Sequence, residues 1–303
     1  MSEYFLKIWC IAKGEVLALI NPNMPRTMGD AILHQSHIDT MVFDDHFVYQ
    51  RPVTKANEQE KMIGKLIADN LVEDGATLQV GIGNIPDSCL ENFVNHKDMG
   101  VHTEMISDGL MKLIRVGCIT NAHKKIHPGT VLCSMIYGST DLYKFSDDNP
   151  MIMMGDISMV NNAGTIRQNP RVTAINAAIE IDLTGQIVAD SIGRQIISGV
   201  GGQADFNRAA ALSNDGRGKP IIALTSQTKS GRSKIVPFLR NGAGVVTTRA
   251  SAHYIVTEYG IAYLFGKNMR QRAHQLIQIA HPDHREQLEE AAFARLKVMP
   301  SSW

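Results

Sequence analysis

Residues 57–93, NEQEKMIGKLIADNLVEDGATLQVGIGNIPDSCLENF, decide the fold class. Asn57 stands where a helix N-cap belongs, and Met62, Ile63, Leu66, Ile67 and Leu71 recur at helical spacing up to the stop at Asp74-Gly75. The run ATLQVGIG (76–83) then reads as a buried strand, and Pro86 is placed to open a short helix through Phe93. Working outward, VHTEMI (101–106) is the next strand and DGLMKLIRVG (108–117) the next helix. Strands follow at TVLCSMIY (130–137), MIMM (151–154), RVTAINAAIEIDL (171–183) and GQIVAD (185–190), the last two joined by a Thr184-Gly185 hairpin. RQIISG (194–199), PIIALTS (220–226) and AGVVTT (243–248) are further strands, with a helix at ADFNRAAALS (204–213). The tail, 268–297, reads as two amphipathic helices divided by His281-Pro282-Asp283. Strands alternating with helices predict an α/β protein with a largely parallel sheet.

The 303 residues suggest about two domains at ~150 residues each. Lys plus Arg and Asp plus Glu both number 30, which argues against nucleic-acid binding by bulk charge. No apolar run approaches the ~18 residues of a membrane span. The four cysteines, Cys10, Cys89, Cys118 and Cys133, show no CxxC spacing and predict a reducing compartment. Residues 1–13 lack a basic n-region and a small-residue cleavage site, so they read as neither signal nor transit peptide. A strand, EVLALI (15–20), follows and is broken by Asn21-Pro22-Asn23-Met24-Pro25. The expected location is cytoplasmic, or the mitochondrial matrix if a longer form carries a transit peptide.

Open α/β sheets bind ligands beyond the C-terminal ends of their strands. Three sequences sit there. Gly81-Ile82-Gly83-Asn84-Ile85 offers bare backbone N–H groups ahead of a helix N-terminus, suited to an oxyanion or phosphate, although a plain tight turn fits equally. Ser198-Gly199-Val200-Gly201-Gly202 leads into Gln203-Ala204 and formally satisfies G-x-G-x-x-A. The acid that a dinucleotide site needs ~20 positions on is missing, since 221–226 holds no Asp or Glu. Two such loops in one chain suggest that both embrace one ligand. Glu104, at a strand end before Ser107-Asp108-Gly109, suits a nucleophile or base, or a plain edge salt bridge. Glu180 is its rival, on a strand whose alternation sets Glu180 and Asp182 opposite Ile179 and Ile181, toward solvent or hydrogen bonds. The pairs His34/His37, His123/His127 and His281/His284 lack metal-ligand spacing, and the run His123-Lys124-Lys125 reads as a solvated loop. There is no G-x-S-x-G elbow for serine hydrolysis.

LQVGIGNIPDSCL (78–90), VHTEMISDG (101–109), AAIEIDLTGQI (177–187), SGVGGQADF (198–206) and TSQTKSGRSKIVP (225–237), in this order, resemble the acetyl-CoA hydrolase/transferase family. That family includes 4-hydroxybutyrate, butyryl, acetate and succinyl CoA-transferases. VLALINPNMPRTMGD (16–30) extends the resemblance toward the N-terminus. The resemblance implies a CoA-transferase-like fold of two similar α/β domains, the first incomplete here: residues 1–56 as its remnant and 57–303 as the second, catalytic domain. It gives Glu104 the role of nucleophile and places Gly81 to Ile85 in a first CoA loop. Ser198, Gly201 and Gly202 fall in the second loop, and Lys229 matches a CoA-contacting lysine. It implies CoA and acyl-CoA as substrates with short carboxylic acids, acetate among them, no prosthetic group, no metal, no nucleic-acid or membrane partner, and leaves a homodimer open. The expected reaction passes through a glutamyl-CoA thioester. Acyl-CoA hydrolysis on the same intermediates and a truncated CoA-binding protein without turnover are the alternatives. Residues 1–56 are expected to pack poorly or to lean on the rest as an arm.

Overall fold

The computed structural model describes residues 14–52 and 54–302; residues 1–13 with Cys10, Val53 and Trp303 lie outside the described residues, so the reading of 1–13 is not followed further. Helix Glu58–Leu71 forms as its sequence predicts. The Asn57 side chain accepts from Glu60 N at 2.9 Å while Glu60 Oε2 accepts from Asn57 N at 2.8 Å, a reciprocal cap. Its apolar stripe buries Ile63, Ile67 and Leu71. The next helix, Asn84–Glu91, begins two residues before Pro86.

Six strands form the central sheet, in the order Gly260–Tyr263, Tyr254–Thr257, Lys219–Ala223, Val172–Ala177, Thr77–Val80, Gly100–Val101. Every neighbouring pair is parallel except the edge hairpin Tyr254–Thr257/Gly260–Tyr263. Chain order reverses once, between Thr77–Val80 and Val172–Ala177. One face packs Leu78, Val80, Ile175 and Ile221 against Ile63, Ile67, Leu90 and Phe93. On the other face Val172 and Ala174 meet Phe206 and Ala209 of helix Gln203–Ala211, and Ile222 and Ile255 meet Leu276 and Leu288 of the two C-terminal helices. Burying side chains of this size stabilises the fold by ~1.5–3 kcal/mol each, which fixes both layers to the sheet.

The structure divides three stretches expected as single strands. The 101–106 run gives Gly100–Val101 in the central sheet and Met105–Ile106, which pairs with Met135–Ile136. The 130–137 run breaks at Ser134, and 171–183 breaks at Ala178 and Ile179 before Glu180–Asp182 enters a smaller sheet with Ile187–Val188 and Ile235–Val236. The Thr184-Gly185 hairpin is present, with Ile181 opposite Ile187. The 243–248 run supplies one isolated bridge, Thr247 to Ile187, while the hairpin at 254–263 was not anticipated. Near the N-terminus the expected strand forms over Leu17–Ile20 and pairs in parallel with Thr40–Phe43. Met28–Gly29 adds a strand to Ile152–Met154 and Val131–Cys133, which fastens this arm to the body. Lys124, expected in a solvated loop, is buried at 3% exposure.

Candidate functional site at the strand-order reversal

A parallel sheet opens a crevice where its strand order reverses, because the connections on either side leave in opposite directions. Gly81 leaves the sheet at that point, its N–H donating to Ile175 O at 2.9 Å. Beneath it the buried amides of Gln79 and Asn176 exchange hydrogen bonds of 3.1 and 2.8 Å across the two strands. Gly83, at φ +130° and ψ 174°, caps helix Asn84–Glu91 in a conformation that side chains rarely adopt. Ile82 is exposed and Ile85 buried, so the loop presents the Ile82 side chain between two stretches of bare glycine backbone. Asn84 is engaged: its amide donates to Glu60 Oε2 at 3.1 Å and its carbonyl accepts from Thr54 Oγ1 at 2.5 Å. A cavity of about 360 Å³ adjoins this loop, lined also by Ala178, Thr225 and Lys234.

Lys234 was not singled out by sequence. Its Nζ donates to Thr225 Oγ1 at 2.8 Å; burial lowers its pKa, and the charges of Glu258 and Glu60 oppose that shift. Lys229, five residues earlier, is exposed at the tip of a tight turn closed by Thr228 N to Arg232 O at 2.8 Å. Glu258, at the end of Tyr254–Thr257, is a second unread acid on this rim; it accepts from Ser226 N and Oγ at 2.8 and 2.7 Å.

Glu104 occupies the bend that divides the expected strand. His102 N donates to Leu78 O and Thr103 N to Leu132 O, so the chain changes neighbours there, and the Glu104 carbonyl accepts from Ser134 N and Met135 N at 3.0 and 2.9 Å. The carboxylate is half-buried. Asn161 Nδ2 donates to its Oε2 at 2.9 Å, and a Cβ built on Gly202 would stand 2.0 Å from that oxygen. Gly202 is therefore the place where the second loop touches Glu104. It also caps helix Gln203–Ala211, so the N-terminal end of that helix lies next to the carboxylate. Burial, and then the charge of Glu104, raise the pKa of Asp205 in the first turn of that helix. Gly201 is exposed at φ +65°, and exposed Ser198 turns its hydroxyl to Gly199 O at 2.9 Å. Asn161 carried no sequence signal; it follows the four-residue helix Ile157–Val160, and its buried Oδ1 has no hydrogen-bond partner.

The rival carboxylate has other work. Glu180 is 2% exposed, accepts from Arg240 N at 2.9 Å and lies 3.2 Å from Arg240 Nε. Burial raises the Asp182 pKa, but hydrogen bonds from Thr184 and Gln186 outweigh it and hold the group below its ordinary value. This face is hydrogen-bonded and ion-paired, not solvated. Among the described residues no group of three or more His, Cys, Asp or Glu side chains has metal-site geometry, and no helix is long and apolar enough to cross a membrane.

Residues 138–292 match the acetyl-CoA hydrolase/transferase C-terminal domain. The chain is 58% identical over 286 residues to a succinyl-CoA:acetate/propanoyl-CoA:succinate CoA transferase of Fasciola hepatica, covering 94% of this chain and 60% of that one. It is 47% identical over 274 residues to a 4-hydroxybutyrate coenzyme A transferase of Clostridium kluyveri, covering 90% and 63%. Among solved structures, RipA from Yersinia pestis superposes with a TM-score of 0.87 at 35% identity, covering 94% of this chain and 64% of that one. The chain thus spans about 60% of the length of these curated relatives. With a matched domain covering half of it, such relatives, and a sheet of the same fold, this chain belongs to the acetyl-CoA hydrolase/transferase family.

Proposed function

We propose that this chain carries the catalytic part of a CoA-transferase that moves CoA from an acyl-CoA to a short carboxylic acid such as acetate, with Glu104 as nucleophile. The observation that carries the reading is the contact set of the Glu104 carboxylate: Asn161 Nδ2 on one oxygen, side-chain-free Gly202 beside it, and a helix N-terminus behind. The carboxylate attacks the thioester carbonyl carbon, the C–S bond breaks, and CoA leaves as thiolate from a mixed acyl-glutamyl anhydride. The thiolate then attacks the glutamyl carbonyl carbon. Cleavage of the anhydride C–O bond frees the carboxylate product and leaves a glutamyl-CoA thioester, which an incoming carboxylate opens by the reverse steps. Each tetrahedral intermediate bears an oxyanion, and the Asn161 amide with the loop N–H groups supplies donors for it.

CoA approaches along the rim from the Gly81–Ile85 loop and the Lys234 cavity to Gly202, with Lys229 meeting it only from the exposed tip. Residues 1–56 are proposed as the remnant of a first α/β domain and 57–303 as the second. Leu17 at 71% exposure and Phe43 at 78% support this, since a two-stranded ribbon with uncovered apolar chains is the edge of a larger layer. Hydrolysis is the second reading, favoured by the half-exposed setting of Glu104, because transfer prevails only where water is excluded. Incubation with acetyl-CoA or butyryl-CoA followed by mass spectrometry tests the assignment. A CoA adduct that persists in Glu104→Ala refutes it; acetate-dependent exchange separates transfer from hydrolysis.

A further inference from the structure

Beneath the strands that lead to Glu104 the protein buries an ammonium group with no carboxylate partner among the described residues. Lys124 is 3% exposed, and its Nζ donates to Val101 O and Thr130 O, each at 2.7 Å. A buried cation carries a desolvation penalty that a methionine of similar length would not, so its presence asks for a reason. The chain makes room for it: a Cβ on Gly100 would fall 2.6 Å from Lys124 Cγ. The two carbonyls it joins are informative. Val101 ends the strand that leads into the Glu104 bend, and Thr130 precedes the strand Val131–Cys133, whose continuation at Ser134 and Met135 grips the Glu104 carbonyl. A second path starts at the neighbouring residues. Lys125 N and Ile126 N both donate to Asn169 Oδ1 at 3.1 Å, and Asn169 Nδ2 donates to His102 Nδ1 at 3.0 Å. The opposite ring nitrogen donates to Val160 O at 2.8 Å, and the next residue, Asn161, holds the Glu104 carboxylate.

We propose that Lys124 is a positioning residue for Glu104: it clamps the two strands that set the bend, and its segment, through Asn169 and His102, fixes the Asn161 amide that holds the carboxylate. This rests on the reading of Glu104 as nucleophile. The groups facing Lys124 are His102 and Cys133, with His127 acting on His102. Burial pushes the His102 imidazole down to about 4 and the Cys133 thiol up to about 12, so both are neutral near pH 7. Burial also brings Lys124 down to about 7, where loss of its proton replaces charge-assisted hydrogen bonds by weaker neutral ones.

The test compares wild type, K124M and K124R by thermal melt, CoA affinity, and the rate of CoA-adduct formation on Glu104 from pH 6 to 9. K124M is expected to keep its CoA dissociation constant within about twofold and to melt within a few degrees of wild type, yet to form the adduct ~100-fold more slowly, the size of effect that misplacing a reacting group produces. Amide hydrogen exchange at Ser134 and Met135 should quicken in it. The wild-type rate should fall as pH rises through about 7, and K124R, whose guanidinium does not titrate there, should react without that fall. A K124M adduct rate equal to wild type overturns the role of Lys124 alone, as does a K124R profile that keeps the decline should K124M not fold. Absence of any wild-type adduct on Glu104 overturns the reading of the nucleophile and this assignment with it.

Discussion

Replacing Gly202 by alanine puts one methyl group into the contact on which the proposed chemistry depends. The ideal Cβ would lie 2.0 Å from Glu104 Oε2 and 2.5 Å from Asn161 Nδ2. Ordinary van der Waals contact begins near 3.4 Å, so the carboxylate has to retreat by about 1.4 Å unless the loop shifts. Gly202 has φ −87° and ψ 2°, which alanine tolerates, so backbone strain gives the loop no reason to shift. The 2.9 Å hydrogen bond from Asn161 does not survive displacement of both its ends. Misplacing a reacting group by ~1 Å costs ~10²-fold, and losing one oxyanion donor costs ~10²–10³. The two losses share the same atoms and do not multiply fully, so about 10³ is expected in the rate of CoA-adduct formation. The resemblance places Gly202 in a CoA loop, where an added side chain is expected to weaken CoA binding. On the proposed reading the damage falls on the nucleophile, so the rate should fall far more than CoA affinity. Single-turnover mass spectrometry with acyl-CoA, beside a thermal melt, measures this. Adduct formation within about threefold of wild type, in a protein that melts normally, would refute the geometry.

Glu180→Ala should leave adduct formation intact and lower stability by about 1–3 kcal/mol, because Arg240 loses its partner at a half-exposed site; unchanged melting would show that the pair contributes nothing. Gly29→Ala should release the N-terminal arm: Gly29 sits at φ +91° and a Cβ there would stand 2.3 Å from Met154 O, so limited proteolysis within 14–52 should quicken while the body resists. Burial lowers His102 and His253 to about 4 in the folded protein, so the unfolded chain binds more protons between pH 4 and 6.5 and stability falls as pH drops through that window. At ~1.4 kcal/mol per unit the His102 contribution is about 3 kcal/mol, and a His102→Gln variant whose melting temperature declines as steeply as wild type would contradict this sign.

Much of the fold was legible because the sequence obeys strong local rules. The Asn57 cap, the 3.6-residue stripe of Glu58–Leu71 and the two-glycine exit at Gly81 each follow from short-range physics. Both C-terminal helices and the Thr184-Gly185 hairpin were readable for the same reason. What escaped was decided at long range. Strand breaks at Glu104, Ser134 and Ala178 leave no turn residues behind them; the chain changes partners there because another strand competes for its N–H groups. Lys124 looked solvated beside His123 and Lys125, and only the fold shows that its ammonium turns inward while its neighbours cap Asn169. Asn161, 57 residues from Glu104, had no motif to announce it. Among the loop residues, the glycines marked the site because bare backbone has a sequence signature, whereas Lys229 and Lys234 lie in one run and only the turn at Thr228–Arg232 separates an exposed lysine from one that lines the cavity.

On the proposed reading, the choice of an amide, and not a cation, among the described partners of Glu104 follows from what a carboxylate nucleophile has to do. An arginine or lysine in contact with Glu104 would stabilise its ground-state charge most, and that charge disperses as the carboxylate attacks; the barrier would rise. A neutral N–H donor gives less to the resting carboxylate and remains beside the carbon that later becomes an ester-like carbonyl and then a tetrahedral oxyanion. The positive end of helix Gln203–Ala211 acts in the same restrained way, as a partial charge at fixed distance. On the proposed reading, the lysines near the site are accordingly kept off the carboxylate: Lys124 spends its hydrogen bonds on Val101 O and Thr130 O, and Lys234 on Thr225 Oγ1. After burial, the charge of Glu104 raises the pKa of Asp205, so the two carboxyl groups lie close enough to interact. On that reading, the arrangement would hold Glu104 in position through neutral contacts and leave its charge available for attack.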